Sequence, residues 1–345
     1  MVDAIICEIE LTEPYEPGSA ETMDTLYFGG GTPSLLSAAE LEKIIIALKQ
    51  KFSFSDDLEF TLEANPDDIN KERLKEWRSL GVNRFSIGIQ DFDDAGLKWM
   101  NRVHTAAESL ECINQVINSG FTNFSIDLIY GSPLLTDEQW NKNLDLVFEK
   151  NVPHISCYAL TVESGTALDK MIGMKKREPV DPDKQARHFE QLIQRMEAAG
   201  YEQYEISNFA RPGMHSKHNS SYWQGKSYYG FGPSAHSFNG NKRRWNIAHN
   251  ALYIQSIQNG KIPFEEETLT PSQQLNEYIM TSLRTKEGID LDQLEKTFGR
   301  VNRQAILEKT ARYISTNKMI KEDQKLKLSA EGKLFADGIA ADLFF

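Results

Sequence analysis

The stretch TLYFGGGTPSLL at 25–36 begins as an apolar strand and stops on Gly29, Gly30 and Gly31. Glycines at a strand tip let a ligand rest against bare backbone amides, which donate to its oxygens. Other polar residues fall late in later strand-like segments: Glu63 in LEFTLEAN, Gln90 in RFSIGIQ and Asp127 in NFSIDLIYG. Taken alone, GGGTP reads as a tight turn onto the helix that begins near Ser37. Taken with Glu63, Gln90 and Asp127, it reads as part of a polar binding site. The three cysteines, Cys7, Cys112 and Cys157, are too widely spaced for a disulfide framework or a metal knuckle and read as buried thiols.

These residues need a scaffold that gathers strand ends. Five β-prone segments supply it, at 25–29, 58–65, 84–90, 123–131 and 154–160. Helical patterns separate them. One opens with a capping box at Ser37, others close on Gly81 and Gly120, and TDEQWNKNLDLVFEK opens on a Thr cap. Such βα repetition predicts a parallel sheet, either doubly wound or barrel-like. Side-chain alternation separates the two. Thr61 and Glu63 oppose Phe60, Leu62 and Ala64; Ser86, Gly88 and Gln90 oppose Phe85, Ile87 and Ile89; Ser125 and Asp127 oppose Ile126, Leu128 and Tyr130. A sheet covered by helices on both faces would be apolar on both. One polar, small-residue face predicts an α/β fold with a partial (β/α) barrel whose lumen holds a polar ligand, its site at the strand ends.

The first twelve residues read as an amphipathic helix that runs into the strand at Thr25 with no strand before it. After 185 the pattern changes. A helix ending at Gly200 and the extended YEQYEISNFA lead to HSKHNSSYWQGKSYYGFGPSAHSF at 215–238, too aromatic for a disordered linker. A helix at 247–259 and a probable boundary at KIPFEEETLTPS follow. The division expected is 1–265 for the barrel with its aromatic extension and 266–345 for a C-terminal winged-helix-like α+β domain of three helices and the hairpin MIKEDQKLKLS. A net charge of -12, and twelve Lys/Arg against eleven Asp/Glu from 271 onward, predict no nucleic-acid partner. With no long apolar run and no basic leader at its start, the chain is expected to be cytoplasmic.

As an ordered set, YFGGGTPSLL, LEANP, RFSIGIQDF, DLIYG, ISNFA and HNSSYW…GFGPSAHSF resemble the oxygen-independent coproporphyrinogen oxidase-like branch of the radical S-adenosylmethionine (radical SAM) proteins. The resemblance implies SAM-binding roles for Gly30, Gly31, Thr32, Glu63, Gln90, Arg102, Asp127 and Ala159. Carboxylates and amide oxygens suit the cationic and hydroxyl groups of SAM, and backbone N–H groups and an Arg suit its carboxylate. Without the resemblance, Arg102 reads as a surface salt bridge. His218, Asn219, Tyr222 and Trp223 match the HNxxYW signature of the haem-chaperone members, which the resemblance associates with haem. An imidazole can ligate iron and aromatic rings can stack on a porphyrin. The plainer reading packs Tyr222 and Trp223 under a loop and gives His218 an internal hydrogen bond. His215 is a second candidate ligand with no motif behind it.

The family holds a 4Fe-4S cluster on a CxxxCxxC loop, and no such spacing occurs in this sequence. That loop and the missing strand are both expected ahead of Met1, with a pseudo-enzyme as the alternative. As written, the chain is expected to be inactive in reductive SAM cleavage. The function expected is a haem chaperone that carries haem to acceptor proteins on a SAM-binding scaffold, with a homodimer compatible. The alternative is an oxygen-independent coproporphyrinogen III dehydrogenase.

Overall fold

The computed structural model describes residues 1–15 and 22–345. Its residues form two compact units, Met1–Leu26 with Leu36–Glu59 and Ser216–Phe345, and Tyr27–Leu35 with Phe60–His215. In chain order come α1 (Val2–Leu11), β1 (Thr22–Phe28), α2 (Ala38–Lys51) and β2 (Ser53–Ala64). The alternation continues through α3 (Lys71–Ser79), β3 (Arg84–Gln90), α4 (Asp94–Trp99), α5 (Ala106–Asn118), β4 (Phe124–Tyr130), α6 (Asp137–Glu149) and β5 (His154–Ala159). Helices α7 (Ala167–Gly173) and α8 (Pro182–Ala198) lead to the short strands β6 (Glu202–Glu205) and β7 (Asn208–Ala210).

The main sheet has the strand order β1-β2-β3-β4-β5-β7-β6, a curled half-barrel. Strands β2 to β5 are mutually parallel, as the βα repetition predicts, whereas β7 pairs antiparallel with both β5 and β6. Cross-strand register turns the alternation into rows. Glu63 lies beside Ser86, Ser86 beside Ser125, and Asp127 beside Ser156, while Leu62, Phe85 and Phe124 form an apolar row that is almost wholly buried. Helices cover that apolar side, with Trp77 of α3 and Trp140 of α6 fully buried. Their starts are locally encoded: capping boxes at Ser37 and Thr105, and a Thr136 cap on α6.

In the other unit, α9 (Lys217–Trp223) precedes β8 (His236–Phe238), β9 (Lys242–Asn246), α10 (Asn250–Gln258) and β10 (Phe264–Thr268). The segment KIPFEEETLTPS is therefore no bare boundary. Its centre is β10, paired antiparallel with β9 and joined by the Lys242–Glu266 ion pair, so partner charge stabilises a strand whose own residues are mostly exposed. The HNSSYW motif is helical, because Ser216 accepts from Asn219 N–H and starts a helical turn. The chain ends with α11 (Pro271–Arg284), β11 (Ile289–Asp290), α12 (Leu291–Phe298), α13 (Arg300–Ser315), β12 (Met319–Glu322), β13 (Lys325–Leu328), α14 (Ala330–Lys333) and α15 (Ala336–Leu343). Strands β11, β13 and β12 make a three-stranded antiparallel sheet over a core that includes Ile289, Leu294, Ile306 and Leu326.

Candidate functional site

The three glycines after β1 serve different needs. A Cβ on Gly29 would stand 2.4 Å from the Tyr27 ring and 2.8 Å from Glu63 Oε1, so Gly29 permits a close approach inside the protein. Gly30 (φ +73°) and Gly31 (φ +64°) have open space above them and are glycine for backbone conformation. Glu63, at the end of β2, ties the turn together: its Oε1 accepts from Tyr27 Oη at 2.6 Å and its Oε2 from Gly30 N at 3.0 Å. Burial and the adjacent Glu63 charge hold the Tyr27 phenol far above its usual range, so it stays a donor. Thr32 begins the following turn, its carbonyl accepting from Leu35 N.

Gly29→Ala is expected to push Tyr27 off Glu63 and cost about 1–3 kcal/mol by overpacking. Gly30→Ala meets no neighbour and is expected to cost about 1–2 kcal/mol through backbone strain alone. Urea unfolding of each variant, with Tyr27→Phe added to Gly29→Ala, separates the two causes. An unchanged unfolding midpoint in Gly29→Ala would contradict the packing account.

Gln90 ends β3 at a register shift and takes φ +71°, a left-handed conformation that is uncommon outside glycine. That conformation brings Gln90 Nε2 to 3.0 Å from where a Gly88 Cβ would be. Arg102 reaches the same place. Its Nη2 donates to Asn65 Oδ1 at 2.8 Å and to the Gly88 carbonyl at 3.1 Å, and its buried Nε has no hydrogen-bond partner. Arg102 is thus inside the strand-end rim and bound to neutral oxygens, which corrects the surface salt-bridge reading. Burial raises the Asp127 carboxyl to about 6, opposed by a Ser156 hydrogen bond and by Arg84 and Arg102, and reinforced by Glu63. Ala159, the last residue of β5, pairs with Tyr130. The sequence reading missed Tyr27, Asn65 and Ser156. Asn65 sits in the quoted LEANP and Tyr27 in TLYFG, but nothing local marks which neighbour each one holds.

The second candidate group lies on α9. His218 Nδ1 is 3.1 Å from Thr25 Oγ1 and His218 Nε2 is 3.1 Å from Tyr222 Oη. The His218 and Tyr222 rings meet edge to face at 5.0 Å, and Tyr222 meets Tyr228 at 4.9 Å in the same way. Partial burial raises the Tyr222 phenol to about 12. Arg284 of α11 stacks over the Trp223 ring at 5.0 Å, and Trp223 Nε1 is buried without a hydrogen-bond partner. Asn219 contributes its backbone N–H to the Ser216 cap. His215 is engaged in the other unit, stacked on Tyr204 and 3.1 Å from Glu202 Oε2.

A 4Fe-4S cluster needs several thiolates. Cys112 and Cys157 are buried, and burial raises both thiols well above their usual range. Among the described residues, no group of three or more His, Cys, Asp or Glu side chains is arranged to hold a metal ion. The cysteines of this chain therefore do not fit the cluster. The rim does fit a zwitterionic ligand: an unpartnered guanidinium nitrogen, a carboxylate beside a backbone amide, and open space over two glycines.

The curled sheet with its strand-end polar rim is the radical SAM fold. The Radical SAM superfamily model matches residues 19–147, and the HemN C-terminal domain model matches residues 269–335. The chain is 32% identical to the curated heme chaperone HemW of Lactococcus lactis over 93% of its own length and 85% of that protein. It is 34% identical to the heme chaperone HemW of Bacillus subtilis over 81% of its length and 74% of that protein. The solved coproporphyrinogen III oxidase HemN of Escherichia coli shares the fold, with a TM-score of 0.85 at 23% identity, covering 99% of this chain and 82% of that one. The chain belongs to the HemW family of radical SAM proteins. No helix among the described residues is long and apolar enough to cross a membrane.

Proposed function

We propose that this chain is a haem chaperone: it takes haem at the surface of α9 and passes it to acceptor proteins in the cytoplasm. His218 is the candidate iron ligand, and Tyr222 and Trp223 supply aromatic faces for the porphyrin. Asn219 keeps the helix start in place. The observation that carries this reading is α9 itself. One short helix, in a chain of the HemW family, sets an imidazole and a phenol edge to face at 5.0 Å and carries an indole at its last residue.

In the same reading SAM rests on the strand-end rim. Gly30, Gly31 and Thr32 take its amino-acid end with Glu63 against the ammonium, and the Arg102 guanidinium meets the carboxylate. Gln90 and Asp127 accept from hydroxyl groups, and Ala159 lies beside the adenine. SAM supplies a sulfonium that can be split reductively, and these residues hold it without reducing it.

The test is an anaerobic haem titration followed by absorbance, on the unmutated chain and on His218→Ala combined with Trp223→Ala. The expected result is saturable one-to-one binding that weakens at least about 10-fold in the double variant, the scale on which lost metal-site contacts act. Equal binding by both chains would remove the assignment to α9. Turnover of coproporphyrinogen would favour the dehydrogenase instead.

A further inference from the structure

Two residues outside the HNSSYW motif determine how His218 is presented. Glu59 of β2 is 5% exposed, and its carboxylate takes three donors from the start of α9. Its Oε1 accepts from Ser216 Oγ at 3.2 Å and from His218 N at 2.9 Å, and its Oε2 accepts from Lys217 N at 2.9 Å. These donors tie the first turn of α9 to a buried acceptor, because moving the turn would break three hydrogen bonds to it. Thr25, on the neighbouring strand β1, then meets the imidazole at Nδ1.

The remaining ring nitrogen faces Tyr222 Oη. A phenol is a stronger donor than an alcohol, which favours the arrangement in which Tyr222 Oη–H donates to Nε2 and Nδ1–H donates to Thr25 Oγ1. A metal-ligating histidine generally holds one N–H on a fixed acceptor and binds the metal through its other nitrogen. Tyr222 is 41% exposed, which leaves its ring room to shift off Nε2 while Thr25 and Glu59 keep their places.

We propose that Thr25 and Glu59 are positioning residues that present the Nε2 lone pair of His218 to haem iron, with the Tyr222 hydroxyl as the group the iron displaces. This rests on the reading of His218 as the haem ligand. In the exchange the Nε2···H–O hydrogen bond breaks and an Fe–N bond forms. Tyr222 keeps its proton, its ring shifts from the imidazole onto the porphyrin and its hydroxyl meets water, and Nδ1–H stays on Thr25.

The experiment combines nitrogen-15 NMR of the histidine side chains in the haem-free chain with haem titrations of the same proteins, His218→Ala assigning the ring. The unmutated chain is expected to show His218 protonated on Nδ1. Thr25→Val, which keeps the shape and removes the acceptor, is expected to move the ring toward a tautomer mixture and weaken haem binding about 10-fold, and Thr25→Ser to restore both. Glu59→Gln, which turns one acceptor into a donor facing Ser216, Lys217 and His218, is expected to raise amide exchange across α9 and weaken haem binding at least as much. Should it fail to fold, the Thr25 pair still decides. Tyr222→Phe, with no hydroxyl to displace, is expected to bind haem more tightly.

If Thr25→Val leaves the His218 tautomer and the haem affinity unchanged while His218→Ala weakens binding, the positioning role is overturned and the ligand assignment stands. If His218→Ala binds haem as the unmutated chain does, the ligand assignment falls and takes this proposal with it.

Discussion

Glu8→Ala is expected to lower the free energy of unfolding by about 2–5 kcal/mol, the cost of leaving two or more buried donors without their acceptor. Glu8 lies in α1 with no solvent exposure. Its Oε2 accepts from Gly232 N at 2.8 Å and Tyr253 Oη at 2.5 Å, and its Oε1 from Asn246 Nδ2 at 2.6 Å. Removing the carboxylate strands a backbone donor and a phenol in the interior at their full desolvation cost, and leaves the Asn246 amide with only its bond to the Gly232 carbonyl. Beside this network, Ala4 of α1 packs on Tyr253 and Ile257 of α10, so one helix face carries both the apolar and the polar attachment.

Burial raises the Glu8 carboxyl above its usual value, and the three hydrogen bonds oppose that rise without cancelling it. A raised carboxyl takes up a proton on folding, so stability falls as pH climbs from the unfolded value through the folded one. Urea unfolding at pH 7 checks the size. A loss under about 1 kcal/mol would mean that the three donors find water, contrary to the burial of all of them.

Asp127→Asn is expected to act in opposite directions on stability and on ligand binding. The carboxyl rises from 3.8 to about 6 on folding, chiefly through burial. The folded chain therefore holds the proton that the unfolded chain releases between those values. Stability is greatest below the unfolded value, declines as pH rises to about 6, and is flat above. The neutral amide removes that decline and is expected to stabilise the ligand-free chain by about 1–3 kcal/mol at pH 8, with the gain shrinking toward pH 4. If Asp127 accepts from a SAM hydroxyl as proposed, SAM affinity is expected to drop, because the carboxylate becomes a weaker acceptor. Urea unfolding at pH 5 and pH 8, with SAM titration calorimetry on the same proteins, reads both effects. A variant less stable than the unmutated chain at pH 8 would show that the Ser156 hydrogen bond outweighs the burial cost.

Much of the scaffold was legible because it rests on short-range rules. The side-chain period of two in FTLEAN, FSIGIQ and SIDLIY marked the polar face, and the register carried it straight into rows of Glu63, Ser86 and Ser125 and of Asp127 and Ser156. Strand starts were less legible. β2 begins at Ser53, within the polar SFSDD, because exposed strand residues need no apolar signal. β10 hid for the same reason. Glu59 lies on the same face as Thr61 and Glu63 but was not read from the sequence, because the alternation does not tell a buried carboxylate from a solvated one.

By itself, then, the amino-acid order determined the βα repetition, the polar strand face, the helix caps and the ordered motifs of the HemW family. Each depends on residues a few positions apart or on a pattern carried whole. Only the tertiary structure decided what those side chains hold. Glu59 is 157 residues from Ser216 and Glu8 is 224 from Gly232. Such pairs leave no local pattern, because a carboxylate reads the same whether it faces water or a distant helix start. The three glycines show the division within three residues: the sequence demands small residues at all of them, but only packing reveals that Gly29 makes room for Tyr27 and Glu63 while Gly30 and Gly31 turn the backbone.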